Sequence, residues 1–296
     1  MTDNSATRAT VMDQTPFGLS TQVITAPLEV SASDRAILRD LAGRVAELAA
    51  RPIEAEKREL WYRHNALEET RPLVFCDPEN GWNEIITPAD LKCEGELART
   101  WEMKLRKDIV WGAEMCDDRV TPDTFDLPYI RTETDWGLRE TRIGGQDGGS
   151  YTWDAPIKDY ERDLPKLHFP TVTVDHAATE KMLALAREVV GDFLTVRLKG
   201  VWWWSLGMTT TLVNLRGLNQ VMLDMFDNPD GLHRLMAFLR DGFLARLNYL
   251  EENGLLSLNN DGTYVGSGGF GWSRELPQAD FTGKVRPIDM WGFGES

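Results

Sequence analysis

A chain of 296 residues with 42% hydrophobic content is long enough to bury a sizeable core, and its 11 Trp fit packed interiors rather than a disordered polymer. Its 47 acidic residues against 32 basic ones give a net charge of −15, which repels phosphate backbones and anionic lipid over any long contact and argues against nucleic acid or membrane partners. Cys76, Cys93 and Cys116 are too widely spaced for a C-x-x-C metal site, and their odd number suits a reducing cytoplasm. Met1 to Gln22 lacks the pattern of a signal peptide, and no later apolar run approaches the ~20 residues that span a bilayer. The reading is a soluble, cytoplasmic protein.

Residues 1–30 are polar and aperiodic and read as a mobile N-terminal arm. Residues 31–190 read as a mainly helical region. Ser33 is placed to cap a helix with Ile37, Leu38, Leu41, Val45 and Leu48 inward; Arg51-Pro52 ends it, and a second helix runs to about Leu67. Leu73 to Cys76 reads as a short strand. Thr87-Pro88-Ala89-Asp90 has the form of a capping box with Pro at the first position, opening a helix that carries Leu91, Leu97, Trp101, Leu105 and Ile109. Residues 121–170 lose periodicity and form a long loop excursion. The Gly pairs between Arg142 and Gly149 have no strand before them and no G-K-[ST] after, so they do not make a phosphate loop. Asp175 then caps a helix through Val190.

The stretch from Phe193 to Gly262 organises the rest. Leu194, Val196 and Leu198 alternate with Phe193, Thr195, Arg197 and Lys199, which is the period of a strand. Leu212, Leu215, Leu218, Met222 and Met225 recur at helical spacing and predict one buried helical stripe. Asn228 caps a further helix with Pro229 in its first turn and Leu232, Leu235, Leu239, Phe243, Leu247 and Leu250 inward, and Asn253-Gly254 ends it. Leu255 to Asn260 reads as the next parallel strand of a right-handed βαβ unit. The fold class is α/β.

The run Lys199-Gly200-Val201-Trp202-Trp203-Trp204, the helix ending in Met225-Phe226-Asp227-Asn228-Pro229, the helix to Glu252-Asn253-Gly254 and the Asn-Asn-Asp segment after it resemble the uroporphyrinogen decarboxylase superfamily, which includes cobalamin-linked methyltransferases. The resemblance covers roughly residues 171–296 and implies a TIM (β/α)8 barrel, with residues 191–296 as its first βα units. The Arg-Gln-Ala-Gly-Arg signature of the true decarboxylases is absent, and the nearest region, Arg58 to Arg71, does not reproduce it. The resemblance therefore points to a corrinoid-linked methyltransferase-type enzyme, with a tetrapyrrole carboxy-lyase or a non-catalytic small-ligand binder as alternatives. It implies zinc and a corrinoid for the complete protein, with a tetrapyrrole, corrinoid or other small molecule as substrate, a corrinoid protein as partner, and a homodimer as an open arrangement. No Cys follows Cys116 and no His follows His233, so no metal ligands are assigned in this chain. A barrel of this kind takes ~250 residues, whereas 104 run from Phe193 to Ser296, so the expectation is an incomplete barrel, inactive alone. A smaller open-sheet domain is the alternative.

On such a barrel Arg197 and Lys199 point inward, away from the face of Leu194, Val196 and Leu198, with Lys199 nearest the mouth. Counting by twos puts Ser257, Asn259 and Asp261 on one face of the next strand. Arg197, Lys199 and Asn259 are candidates for holding a carboxylate-rich substrate, with Asp261 steering a proton; the blander reading is an ion pair that fills the interior. Trp203, in the aromatic turn, is a candidate pocket wall, and Glu295 a second candidate catalytic carboxylate. His64, His168, His176 and His233 show no metal-ligand spacing.

Overall fold

The computed structural model describes residues 9–12, 21–24, 27–78, 81–144, 150–202, 206–264 and 269–291, with side chains described from residue 27 onward. The chain forms two compact units, each drawn from separate stretches: Met1–Arg131 with Val174–Trp204 and Leu256–Gly292, and Thr132–Thr173 with Ser205–Leu255 and Phe293–Ser296.

In the first unit β1 (Ala9–Met12) pairs antiparallel with β2 (Thr21–Ile24). Helix α1 (Ala32–Ala49) begins at Ser31, whose hydroxyl accepts from the Asp34 N–H at 3.1 Å. Ser33, the cap expected from sequence, lies inside the helix and exchanges a hydrogen bond with Ser31 instead. Helix α2 (Pro52–Asn65) starts at the expected proline. The extended segment at Leu73 to Cys76 is not a strand. Val74 and Cys76 donate their N–H groups to the carboxylates of Asp118 and Asp117, at 2.8 and 3.0 Å, so side chains take the place of a ladder.

After the single turn α3 (Trp82–Ile85), helix α4 (Glu96–Val110) begins later than Thr87 predicts. Thr87 does bond Asp90, through both its N–H and its hydroxyl, but this closes a turn. Two carboxylates then hold the backbone out of helix: Glu102 of α4 itself accepts the N–H groups of Lys92 and Cys93, and the distant Asp34 those of Glu94 and Gly95. The chain leaves α4 through a π-turn at Trp111–Met115.

Strand β3 (Thr124–Leu127) lies inside the stretch that reads as loop. β4 (Arg131–Glu133) bonds β1 at Thr10 and neighbours β7 (Val172–Val174); β5 (Thr141–Gly144) and β6 (Tyr151–Asp154) make a separate hairpin. This hairpin and the one-turn helix α5 (Tyr160–Asp163), which lies between β6 and β7, belong to the second unit. Helix α6 (His176–Val190) is capped by Asp175 as expected and leads into β8 (Thr195–Leu198). β8 pairs in parallel with β3, with Asp126 opposite Arg197. Leu38, Leu41, Val45, Leu97, Trp101, Leu105, Phe125, Leu127, Met182, Val189 and Leu194 form the core of this unit, each worth roughly 1.5 to 3 kcal/mol of burial for the larger aliphatic side chains.

The molecule mixes helix and sheet, 49% against 10%. Eight strands of ordinary length would need about 40 residues, more than that share supplies, and the described sheets are small and unclosed. The expected second strand at Leu255 to Asn260 forms no ladder. Its polar side chains bond loop backbone instead: Ser257 accepts from Gly200 N–H, Asn259 holds Trp291, and Asn260 reaches the Leu276 carbonyl. The parallel neighbour of β8 comes from upstream in sequence, not downstream.

In the second unit the expected single stripe from Leu212 to Met225 is split. Helix α7 (Thr209–Arg216) buries Leu212 and Leu215, but Gly217 sits at φ +87°, a conformation L side chains avoid, and α8 (Leu218–Asp227) restarts with a rotated face. It buries Val221 and Asp224, and leaves Leu218, Met222 and Met225 exposed. Asn228 caps α9 (Pro229–Glu252) through the Gly231 N–H at 3.0 Å, and Leu235, Leu239 and Leu250 are fully buried. Among the described residues no helix is long and apolar enough to cross a membrane.

Candidate functional site

The alternation of β8 divides its side chains between core and cavity. Val196 and Leu198 pack on the core with buried Leu194, while Arg197 and Lys199 turn to the other face, where Asp126 and Thr124 of β3 join them. A cavity of about 140 Å³ opens there, lined by Lys104, Arg119, Asp126, Arg197, Lys199 and Asp261, with Phe75, Trp111, Tyr264 and Phe270 as its aromatic wall. That volume matches the ~150 Å³ that accommodates benzene in an engineered apolar cavity.

Arg197 is held as a fork. Its Nε and Nη2 donate to the two oxygens of Asp126 at 2.7 and 2.8 Å, and its Nη1 donates to Asp261 Oδ2 at 2.7 Å. Lys199 donates to Asp261 Oδ1 at 2.7 Å, and the Thr263 hydroxyl reaches the same oxygen at 2.9 Å. The four charges are unequally placed: the Lys199 side chain is 7% exposed, Asp126 14%, and Arg197 and Asp261 33% each. Lys199 is therefore buried beneath the opening rather than at its rim. Asp126 braces Arg197 from behind and raises its pKa further above the ordinary guanidinium value. Burial alone would raise the Asp261 carboxyl, but Lys199 and Arg197 outweigh it and hold the group below its usual range, so it is ionised at neutral pH.

A second group of charges stands beside this one. Lys104 and Arg119 line the cavity and both bond Asp108, at 3.3 and 2.8 Å; burial opposes the charge of Asp108, and these two cations overcome it. The Arg119 guanidinium also lies 4.1 Å from the Trp111 ring centre. Asp117, whose carboxylate accepts the Arg119 backbone N–H, is pushed upward by burial. Around the cavity, four cations face the three carboxylates Asp108, Asp126 and Asp261, in a chain whose net charge is −15.

Of the sequence candidates, Arg197, Lys199 and Asp261 are brought together. Asn259 is not part of the group: it donates to the Trp291 carbonyl and accepts the Trp291 N–H at 2.7 Å, clamping a loop. Trp203 and Glu295 lie outside the described residues. Trp202 is buried, stacked on Tyr129, with Arg131 4.1 Å from its ring centre. Asp126, Lys104, Arg119 and Thr263 escaped the sequence reading; the Phe125-Asp126-Leu127 alternation is the one signal that marks Asp126, within a strand of only four residues.

Among the described residues no three His, Cys, Asp or Glu side chains gather as a metal-holding group. The Cys93 thiol is buried and pushed far up by burial and by Glu102, which makes it inert. The residues present do not fit the His and Cys zinc centre that the methyltransferase resemblance implies, and no step is assigned to that metal. Compared with known proteins, the chain matches no family model, no curated protein and no solved structure.

Proposed function

We propose that this chain belongs to an enzyme of the uroporphyrinogen decarboxylase superfamily that binds a small carboxylate-bearing substrate at Arg197 and Lys199 and acts in methyl transfer. The observation that carries the reading is the cation-rich cavity on the polar face of the parallel β3–β8 pair. A substrate carboxylate entering against Lys199 and Arg197 Nη1 takes over the two donors that Asp261 now occupies. Asp126 keeps the guanidinium aimed while this exchange occurs. Asp261, released from the two cations that hold it ionised, is then free to exchange a proton with the bound substrate. That role suits a methyl acceptor that must lose a proton. The decarboxylase signature is absent from the sequence, which weighs against a tetrapyrrole carboxy-lyase. Binding without turnover is the second reading, favoured by the full pairing of the four charges.

The test supplies the whole enzyme to which the chain belongs with methylcobalamin, zinc and small thiols that carry a carboxylate. The expected outcome is methylation of a thiol, lost in Asp261→Asn. No transfer to any thiol, together with retained carboxylate binding, would leave the binding reading in its place.

A further inference from the structure

We propose that α8 is a self-association surface, on which the same helix of a second copy of this chain packs antiparallel. On this ten-residue helix Leu218, Met222, Leu223, Met225 and Phe226 are exposed at 53%, 58%, 54%, 59% and 88%. Leu218, Met222, Met225 and Phe226 follow the i, i+4, i+7, i+8 spacing of one continuous stripe, and Leu223 flanks it. A lone exposed leucine is ordinary, but five large apolar side chains on under three turns are not.

Charge selects the occupant. From Gly217 to Phe226 the only ionisable side chain is Asp224, which is buried and neutralised by Arg216, so the stripe offers nothing to an acidic or basic partner. The chain's net charge of −15 disfavours an anionic lipid surface. The stripe itself carries no charge to clash with an identical one; the −15 of each copy repels at longer range, so added salt should strengthen the pairing. The ends of the helix set the direction: its N-terminus at Gly217 has no side-chain cap, and its last residue is Asp227, an acid at the negative end of its own dipole. Antiparallel pairing about a two-fold axis near Met222 lays Asp227 of each copy beside the uncapped N-terminus of the other. The five side chains present roughly 600 Å² per copy, so the pair buries up to roughly 1,200 Å², the lower edge of what specific interfaces use.

Sedimentation velocity of the full chain from low to high micromolar concentration should show a monomer–dimer equilibrium. Phe226→Glu should weaken it by about 30-fold or more, the loss expected of a buried aromatic anchor. Leu244→Glu, at an exposed apolar position on α9, should leave it unchanged. As a check independent of folding in the charged variant, Met222→Cys in a Cys76→Ser, Cys116→Ser background should form an intermolecular disulfide when oxidised with copper phenanthroline, and Leu244→Cys in the same background should not. A wild-type chain that stays monomeric throughout, a dimer that survives Phe226→Glu, or equal cross-linking at both cysteine positions would overturn the proposal.

Discussion

Two arginine–aspartate clusters in this molecule use the same chemistry at different exposure. Arg216 and Asp224 in the second unit are sealed, with side chains 7% and 2% exposed. Arg216 bonds both oxygens of Asp224 and the carbonyls of Ile157 and Lys158, while Asp224 also accepts from the Tyr160 hydroxyl and Gln220. Every strong donor and acceptor there is already used, so the cluster can only hold α5, α7 and α8 together. Arg197 and Asp261 in the first unit are each a third exposed and face a cavity. Their bonds can be exchanged for bonds to a ligand. The exposure of Arg197 and Asp261, rather than the ion pair itself, separates the cluster that faces a cavity from the sealed one.

The largest expected effect lies in the sealed cluster. Asp224→Ala leaves the Arg216 charge buried without its partner and should cost about 3 to 5 kcal/mol in urea unfolding. Acid should act on the same group. Burial alone would raise the Asp224 pKa, but Arg216, Tyr160 and Gln220 bring it down to about 2 from the ordinary 3.8. A carboxyl depressed in the folded state contributes its full stability above the unfolded value, and that contribution is lost as pH falls from about 4 toward 2. Thermal melts over this range should show the fall, and Asp224→Ala should flatten it; an equally steep fall in the variant would assign acid sensitivity elsewhere.

Next in size is Gly231→Ala. A Cβ there meets the Tyr160 ring and Asn228 Oδ1, so the ring that bonds Asp224 must shift, at about 1 to 3 kcal/mol in the same unfolding measurement. The smallest stability change belongs to the open cluster. Lys199→Met keeps the buried stem and leaves Asp261 paired with Arg197 and partly solvated, so the melt should drop by the equivalent of about 1 kcal/mol. A loss as large as that of Asp224→Ala would erase the distinction between the two clusters.

How much of this was legible in the sequence depended on distance along the chain. The division of β8 into core and cavity faces was readable because alternate residues differ in polarity, and the Asn228 cap because its bond spans three residues. The late start of α4 was not, since the carboxylates that delay it include Asp34, some sixty residues upstream. β3 was hidden by its length of four residues between Pro122 and Pro128, and Asp126 was hidden with it. The apolar spacing across Leu215, Leu218 and Met222 looked continuous, yet the positive φ of Gly217 turned the second half outward. At Ser257 and Asn259 the polar alternation was real, but it served loop backbone rather than a strand face.

Calorimetric titration of the full chain at neutral pH with a set of small mono- and dicarboxylates tests the open cluster most directly. Saturable binding of at least one of them at a single site is predicted, weakened about tenfold or more in Lys199→Met while Asp224→Ala, at a temperature where it stays folded, binds as the wild type does. Absence of binding by every small carboxylate, or binding that Lys199→Met leaves intact, would contradict the assignment of the Arg197, Lys199 and Asp261 cavity as a substrate site.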